Sequence, residues 1–158
     1  MNIKKYLSKF DDLKDKLIIV TGSNSGVGFS LCKHILHKKG DILMMCRNAD
    51  RMNDAKEKLL ELYPDAKIET LIYDQSSFES IDSCVNTIKE RYNHFYAIVF
   101  NAGLIAKKNE YINSVPKSIW INYIGLYRFY TQIASIFSYK TFIFQGSLAR
   151  SEEHTSEL

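Results

Sequence analysis

The chain has 158 residues, 46% hydrophobic and 25% charged, the balance of a folded globular domain and not of a disordered one. Two prolines and seven glycines exclude collagen-like and linker sequences, and no apolar run reaches the roughly 18 to 20 residues that cross a bilayer. A net charge of +3 is too small to point to nucleic acid, and Cys32, Cys46 and Cys84 are too scattered for a disulfide framework or a zinc site. The Lys-rich start Met1 to Phe10 is followed by no apolar stretch of the kind a signal peptide needs. The expectation is a cytoplasmic protein with no nucleic-acid partner.

Short apolar runs alternate with amphipathic stretches along the chain. Lys16 to Gly22 is a β-branched run closed by glycine, the pattern of a buried strand. Phe29 to His37 has helical spacing with Leu31, Ile35 and Leu36 on its apolar stripe. Gly40 turns the chain into a second strand, Ile42 to Cys46. Asp50 to Tyr63 reads as a polar helix whose apolar face is Ala55, Leu59, Leu60 and Leu62. Ile68 to Tyr73 is a third strand, and Phe78 to Tyr92 a helix through Ile81, Val85 and Ile88. Ala97 to Phe100 is a fourth strand, Ser118 to Phe137 one long helix, and Thr141 to Phe144 a fifth strand. Strand–helix alternation at this pitch predicts βαβ units, hence an α/β, doubly wound parallel sheet of Rossmann-like type.

Between the first strand and the first helix lies Thr21-Gly22-Ser23-Asn24-Ser25-Gly26-Val27-Gly28. Three glycines permit a tight turn, close approach of backbone N–H groups to an anion, and close helix–sheet packing. The helix N-terminus adds partial positive charge, so a pyrophosphate fits there. A plain tight turn is the competing reading. The Gly-x-x-x-Gly-x-Gly spacing lacks the Lys-Ser/Thr pair of a nucleotide-triphosphate loop.

Thr21 to Gly28, Asp74 after the third strand, Asn101-Ala102-Gly103 after the fourth, Asn122 in the long helix and Ser147 after the fifth strand come in one order. In that order they resemble a short-chain dehydrogenase/reductase, over essentially all of Met1 to Ala149. The glycine loop and Met45-Cys46-Arg47-Asn48 are most similar to retinol-dehydrogenase-like members. The resemblance implies the strand order 3-2-1-4-5 and a dinucleotide held by Thr21 to Gly28, Arg47, Asp74 and Asn101 to Gly103. It sets Asp74 against the adenine amino group, although Asp74 could instead cap the next helix, with Ser76 and Ser77 competing for that role. Asn101 could equally serve to pin the sheet.

At the end of the second strand an NAD enzyme carries an acidic residue for the ribose hydroxyl. Here stand Cys46-Arg47-Asn48, with Arg51 close behind. Arginine beside a helix N-terminus is unfavourable unless an anion joins it, and a 2′-phosphate would be that anion. NADP(H) is the expected cofactor. Asp50 is the ribose ligand if it is NAD(H).

For chemistry, the resemblance implies hydride transfer between NADP(H) and a small carbonyl or alcohol substrate. Ser147 would hydrogen-bond the substrate oxygen, and Asn122 would organise the catalytic lysine and a water; Ser147 also fits an ordinary strand-end serine. The family's Tyr-x-x-x-Lys pair does not follow Ser147 in these 158 residues. Tyr63-Pro64-Asp65-Ala66-Lys67 satisfies the string, but it enters the third strand at its amino end, away from the expected crevice. The chain as given is therefore expected to lack activity, and a non-catalytic dinucleotide-binding sensor is the alternative. Tyr123, Tyr127 and Tyr130 are expected to serve core and interface packing, and His34, His37 and His94 to be solvated. Phe142 and Phe144 are expected on an exposed strand edge, and the intact protein as a homo-oligomer. Arg150 to Leu158 resembles a translated sequencing adapter, so 1–149 is expected to be the native Rossmann segment, incomplete at its carboxyl end, and 150–158 a non-native tail.

Overall fold

A computed structural model describes residues 12–107, 109–137 and 141–146. Ser147 and the segment 150–158 lie outside them. Five parallel strands form the central sheet: β1 (Leu17–Thr21), β2 (Asp41–Cys46), β3 (Ile68–Ile72), β4 (Ala97–Phe100) and β7 (Thr141–Phe144). Their spatial order is β3-β2-β1-β4-β7, the predicted 3-2-1-4-5 with β7 as fifth strand. The chain builds outward from β1 through β2 and β3, then returns to place β4 on the other side of β1. Such a reversal opens a crevice at the carboxyl ends of the strands.

Alternate residues of each strand face opposite sides of the sheet, and both sides are covered. On one side Ile18, Val20, Ile42 and Met44 meet Cys32, Ile35 and Leu36 of α1 (Gly26–His37) and Met52, Ala55 and Leu59 of α2 (Ala49–Leu62). On the other, Ile19, Leu43, Met45, Ile98 and Phe100 meet Ile81, Val85 and Ile88 of α3 (Phe78–Arg91) and Phe129 and Ile133 of α5 (Leu126–Ile136). The register sets Ile19 level with Leu43 on β2 and Ile98 on β4. This double burial explains why β1 and β4 read as continuous apolar runs.

Three local expectations are corrected. Leu62 is exposed, and Met52 takes its place on the buried face of α2. The long helix expected over 118–137 is a short α4 (Lys117–Ile119), a π-helical turn (Trp120–Gly125) and then α5. Gly125 is pressed against the main chain at Gln75, where a Cβ would overlap the Gln75 carbonyl oxygen. The wider turn accommodates that contact. Finally, Tyr123 and Tyr127 are exposed and stacked on one another, not in the core, whereas Tyr130 packs edge-on against Phe142 and Phe144.

Of the aromatic edge, Phe144 is 52% exposed while Phe142 is half-buried. The loop after β4 also carries an unforeseen hairpin, β5 (Tyr111–Ile112) and β6 (Val115–Pro116), turned by Asn113 and Ser114, both with positive φ. His34, His37 and His94 are exposed. No helix among the described residues is long and apolar enough to cross a membrane.

Candidate active site

The glycine loop leaves β1 through Gly22 at φ +65°, a left-handed conformation that strains any residue with a Cβ. A Cβ there would also stand 2.9 Å from Ala102 Cα, and one on Gly28 would overlap the Gly22 carbonyl oxygen and come within 2.5 Å of Asn101 Nδ2. Gly26, at φ +54°, faces open space instead. Close packing thus explains Gly22 and Gly28, while Gly26 leaves open space beside the loop backbone. At the start of α1, Ser25 makes no side-chain cap and no acidic residue occupies the first turn. By contrast, α2 is capped by Asn48 and has Asp50 in its first turn, and α3 is capped by Ser77 and has Glu79. The α1 terminus keeps backbone N–H groups for an anion.

The loop is fastened to β4 by two side chains. Thr21, fully buried, accepts at Oγ1 from Asn101 N (3.0 Å) and Ala102 N (2.9 Å). Asn101 Nδ2 donates to Thr21 O (3.0 Å) and Gly22 O (3.1 Å). Of the two roles weighed for Asn101, the sheet-pinning one is visible in these bonds, and the residue also lines the cleft. Gly103 keeps that wall thin: a Cβ there would stand 3.3 Å from Asn122 Oδ1. Ser23 is buried with its hydroxyl 3.3 Å from Cys46 Sγ, which ties the loop to the end of β2. Burial pushes the Cys46 thiol up, so it stays protonated.

The strands' carboxyl ends enclose a cleft of about 590 Å³. Gly22, Asn24, Ser25 and Val27 line it from the glycine loop, Arg47, Asn48 and Arg51 from the β2 end, Asp74 from the β3 end, and Asn101, Ala102 and Gly103 from the β4 end. Gln145 and Gly146 close its far side. Every described residue predicted to hold cofactor lines this cleft or belongs to the loop that forms it. Asp50 is not on its wall. A second groove, of about 640 Å³, runs along the β3 edge between α2 and α3, away from the glycine loop.

Asp74 does not cap α3: Ser77 does, accepting from Ser80 N at 3.2 Å. Instead Asp74 Oδ1 accepts from Ser76 N and Ser76 Oγ, and its carboxylate remains beside the cleft. Asn122 uses both ends of its amide on one residue. Its Oδ1 accepts from Leu104 N at 2.9 Å, and its Nδ2 donates to Leu104 O at 2.7 Å. So engaged, it holds the segment behind the cleft wall, using one of its two amide N–H groups to do so. Tyr63 packs into the α1–α2 core, and Lys67 pairs with Asp41 at 3.7 Å at the amino end of β2. That pair of residues is nowhere near the cleft.

Sequence reasoning missed Gln75. This buried side chain accepts from Tyr73 OH and donates to Ala102 O and Ile121 O. A polar residue just after a strand gave no hint of partners 27 and 46 positions away.

The model of the short chain dehydrogenase family matches residues 16–140. The chain belongs to that family. It is thus a member of a family of oxidoreductases that use NAD(P)(H), and its cleft lies where the glycine loop enters α1. Among its relatives is a WW domain-containing oxidoreductase of Gallus gallus, 34% identical over 93 residues, covering 59% of this chain and 22% of that protein. Another is a 3alpha-hydroxysteroid dehydrogenase of Mediterraneibacter gnavus, 30% identical over 105 residues, or 66% of this chain and 42% of that enzyme. The chain spans less than half the length of either. The fold is shared with L-sorbose reductase of Gluconobacter frateurii, solved with NADPH and L-sorbose. It superposes with a TM-score of 0.70 at 18% identity, over 90% of this chain and 56% of that one.

Proposed function

We propose that the chain is the cofactor-binding part of an NADP(H)-dependent oxidoreductase that moves hydride between the cofactor and a carbonyl or alcohol substrate. The observation that carries the cofactor choice is the composition of the cleft wall at the end of β2. Arg47 and Arg51 line it, and Asp50, the residue an NAD enzyme would use, does not. Two guanidinium groups beside a capped helix N-terminus repel one another and the helix dipole until an anion joins them. A 2′-phosphate supplies that charge and accepts forked hydrogen bonds. The cofactor, when bound, supplies the hydride. The chain's own residues bind and orient it: backbone N–H groups at Ser25 to Gly28 toward the pyrophosphate, Asp74 toward the adenine amino group, and Asn101 to Gly103 along the ribose.

Ser147 would orient the substrate oxygen, and Asn122 supports the cleft wall at Leu104. The glycine loop and Met45 to Asn48 favour a retinol-dehydrogenase-like member of the family. We further propose a cytoplasmic location and a homo-oligomeric intact protein. No Tyr-x-x-x-Lys follows Ser147 in these 158 residues, so the pair that the family resemblance gives as proton donor to the developing alkoxide is not supplied by this stretch of sequence. Purified 158-residue protein is therefore expected to bind cofactor without reducing a carbonyl, and measurable NADPH oxidation with an aldehyde or ketone would overturn that. For the cofactor itself, parallel fluorescence titrations with NADPH and NADH decide. NADPH should bind about tenfold or more tightly, the worth of one charged hydrogen-bonded contact; tighter NADH binding would defeat the proposal.

A further inference from the structure

We propose that Gln75 is a positioning residue of the cleft, whose side-chain amide clamps the π-helical turn carrying Asn122 to the wall formed by Ala102 to Leu104. Its importance for cofactor binding rests on the dinucleotide reading above; its mechanical role does not. Gln75 is 5% exposed, and both ends of its amide are engaged. Nε2 lies 2.7 Å from Ile121 O and 3.3 Å from Ala102 O, and Oε1 lies 3.0 Å from Tyr73 OH. The two carbonyls accept only, so the NH₂ end must face them, and the tyrosine hydroxyl then donates to the remaining oxygen. One orientation satisfies all three partners.

These partners belong to three separate pieces of the fold. Ala102 follows β4, Ile121 lies inside the π turn, and Tyr73 leaves β3. The main chain of the same residue makes a second contact with the turn, because Gly125 sits against the Gln75 carbonyl oxygen. Trp120 Nε1 adds a third, donating to Ser76 O at 2.9 Å. The segment Gln75–Ser76 therefore docks along the whole π turn, at Trp120, Ile121 and Gly125. Asn122, the next residue after Ile121, reaches the other way to grip Leu104. If the clamp opens, the turn that carries Asn122 can draw away from Leu104, the bonds between the two residues break more often, and the wall of the cleft loosens.

A glutamate at position 75 keeps the shape but sets a carboxylate against two carbonyl oxygens. A methionine keeps the bulk and removes the donors. The test uses Gln75→Glu and Gln75→Met in the 158-residue chain, with amide hydrogen exchange resolved by NMR and NADPH titration alongside. The readout is the Leu104 N–H, held by Asn122, compared with Ile98 N–H in β4. Leu104 should exchange about tenfold faster or more in the variants, with a much smaller change at Ile98 and a shift of the Asn122 side-chain amide signals. Equal acceleration at both amides, or none at Leu104, overturns the proposal and leaves Gln75 as core filling. Where the parent binds NADPH, its affinity should fall about fivefold or more in both variants; unchanged affinity with a loosened Leu104 also overturns it. A parent that binds no dinucleotide defeats the cofactor reading alone, and the exchange comparison still judges Gln75. Should neither variant fold, Tyr73→Phe removes only the bond to Oε1. It should accelerate Leu104 selectively, and uniform acceleration counts against the clamp.

Discussion

Replacing Gly28 by alanine tests the close packing of the glycine loop directly. The added Cβ would overlap the Gly22 carbonyl oxygen and stand 2.5 Å from Asn101 Nδ2, where ordinary contact is 3.4–4 Å. Relief of about 1 Å must come from α1, from the loop or from the Asn101 amide. If the amide moves, its bonds to Thr21 O and Gly22 O go with it, at about 0.5–1.5 kcal/mol each. Overpacking adds about 1–3 kcal/mol, so the variant should lose about 2–6 kcal/mol. That is a fall in Tm of roughly 4 °C or more for a domain of this size, read by circular dichroism. Gly26→Ala is the matched control. Its Cβ meets nothing within 4 Å, so only the cost of a positive φ remains, about 1–2 kcal/mol. Its methyl group, however, stands in open space at the start of α1, beside the N–H groups proposed to receive the pyrophosphate. Gly26→Ala should therefore weaken NADPH binding out of proportion to its small Tm change. A Gly28→Ala protein melting within about 2 °C of the parent would refute the packing argument.

Thr21→Val should cost about 2–5 kcal/mol in denaturant unfolding, because the Asn101 and Ala102 N–H groups lose their acceptor inside the fold. An isosteric loss under about 0.5 kcal/mol would mean water replaces the hydroxyl. Arg47→Ala should weaken NADPH about tenfold or more and leave NADH nearly unchanged; equal weakening of both would place the guanidinium elsewhere. Across the α3–α5 contact, Arg128 holds Asp82 through Nε and Nη2 at 2.9 and 2.7 Å, with Gln132 adding a third bond. Those hydrogen bonds lower the Asp82 pKa below its ordinary 3.8. A depressed carboxylate stabilises the fold above its unfolded pKa, and that contribution disappears as pH falls through the folded value. Both side chains are more than a third exposed, so solvent screening limits the pair to about 0.5–1 kcal/mol. The gap in stability between parent and Asp82→Asn should thus be flat above about pH 5 and close below pH 4; a gap that persists at pH 2.5 would contradict it.

The sheet was readable because its strands are local and doubly buried. Leu17 to Thr21 and Ala97 to Phe100 need no partner to announce themselves, since both faces are apolar. The glycine loop was readable for a similar reason: position between strand and helix gives three glycines one mechanical meaning. What escaped depended on distant contacts. The π turn at Trp120–Gly125 differs from an α-helix by one residue per turn, a shift that apolar spacing over a single turn does not register. Its cause, the approach of Gly125 to Gln75, spans 50 positions. Gln75 itself carries no periodic or motif signal, and its function emerges only when Ala102 and Ile121 are brought beside it. The hairpin Tyr111–Pro116 was missed because Asn113 is followed by Ser114 and not by the glycine that usually marks such a turn. Tyr123 and Tyr127 look like helix core by spacing, yet the turn directs them outward.

The crossed bonds of Thr21 and Asn101 have a further consequence for how a ligand meets this protein. They weld the glycine loop to the two central strands, so the loop can open only when the centre of the sheet opens. Its recognition geometry is present before any ligand arrives, and little ordering entropy is left to be lost on binding. Nearly the whole population is then competent to bind, and affinity is not diluted by an equilibrium with a closed loop. In a mixture of ligands, selection would fall to the cleft's exposed rim, where Arg47 and Arg51 stand on the surface, and not to the hydrogen-bonded floor beneath it.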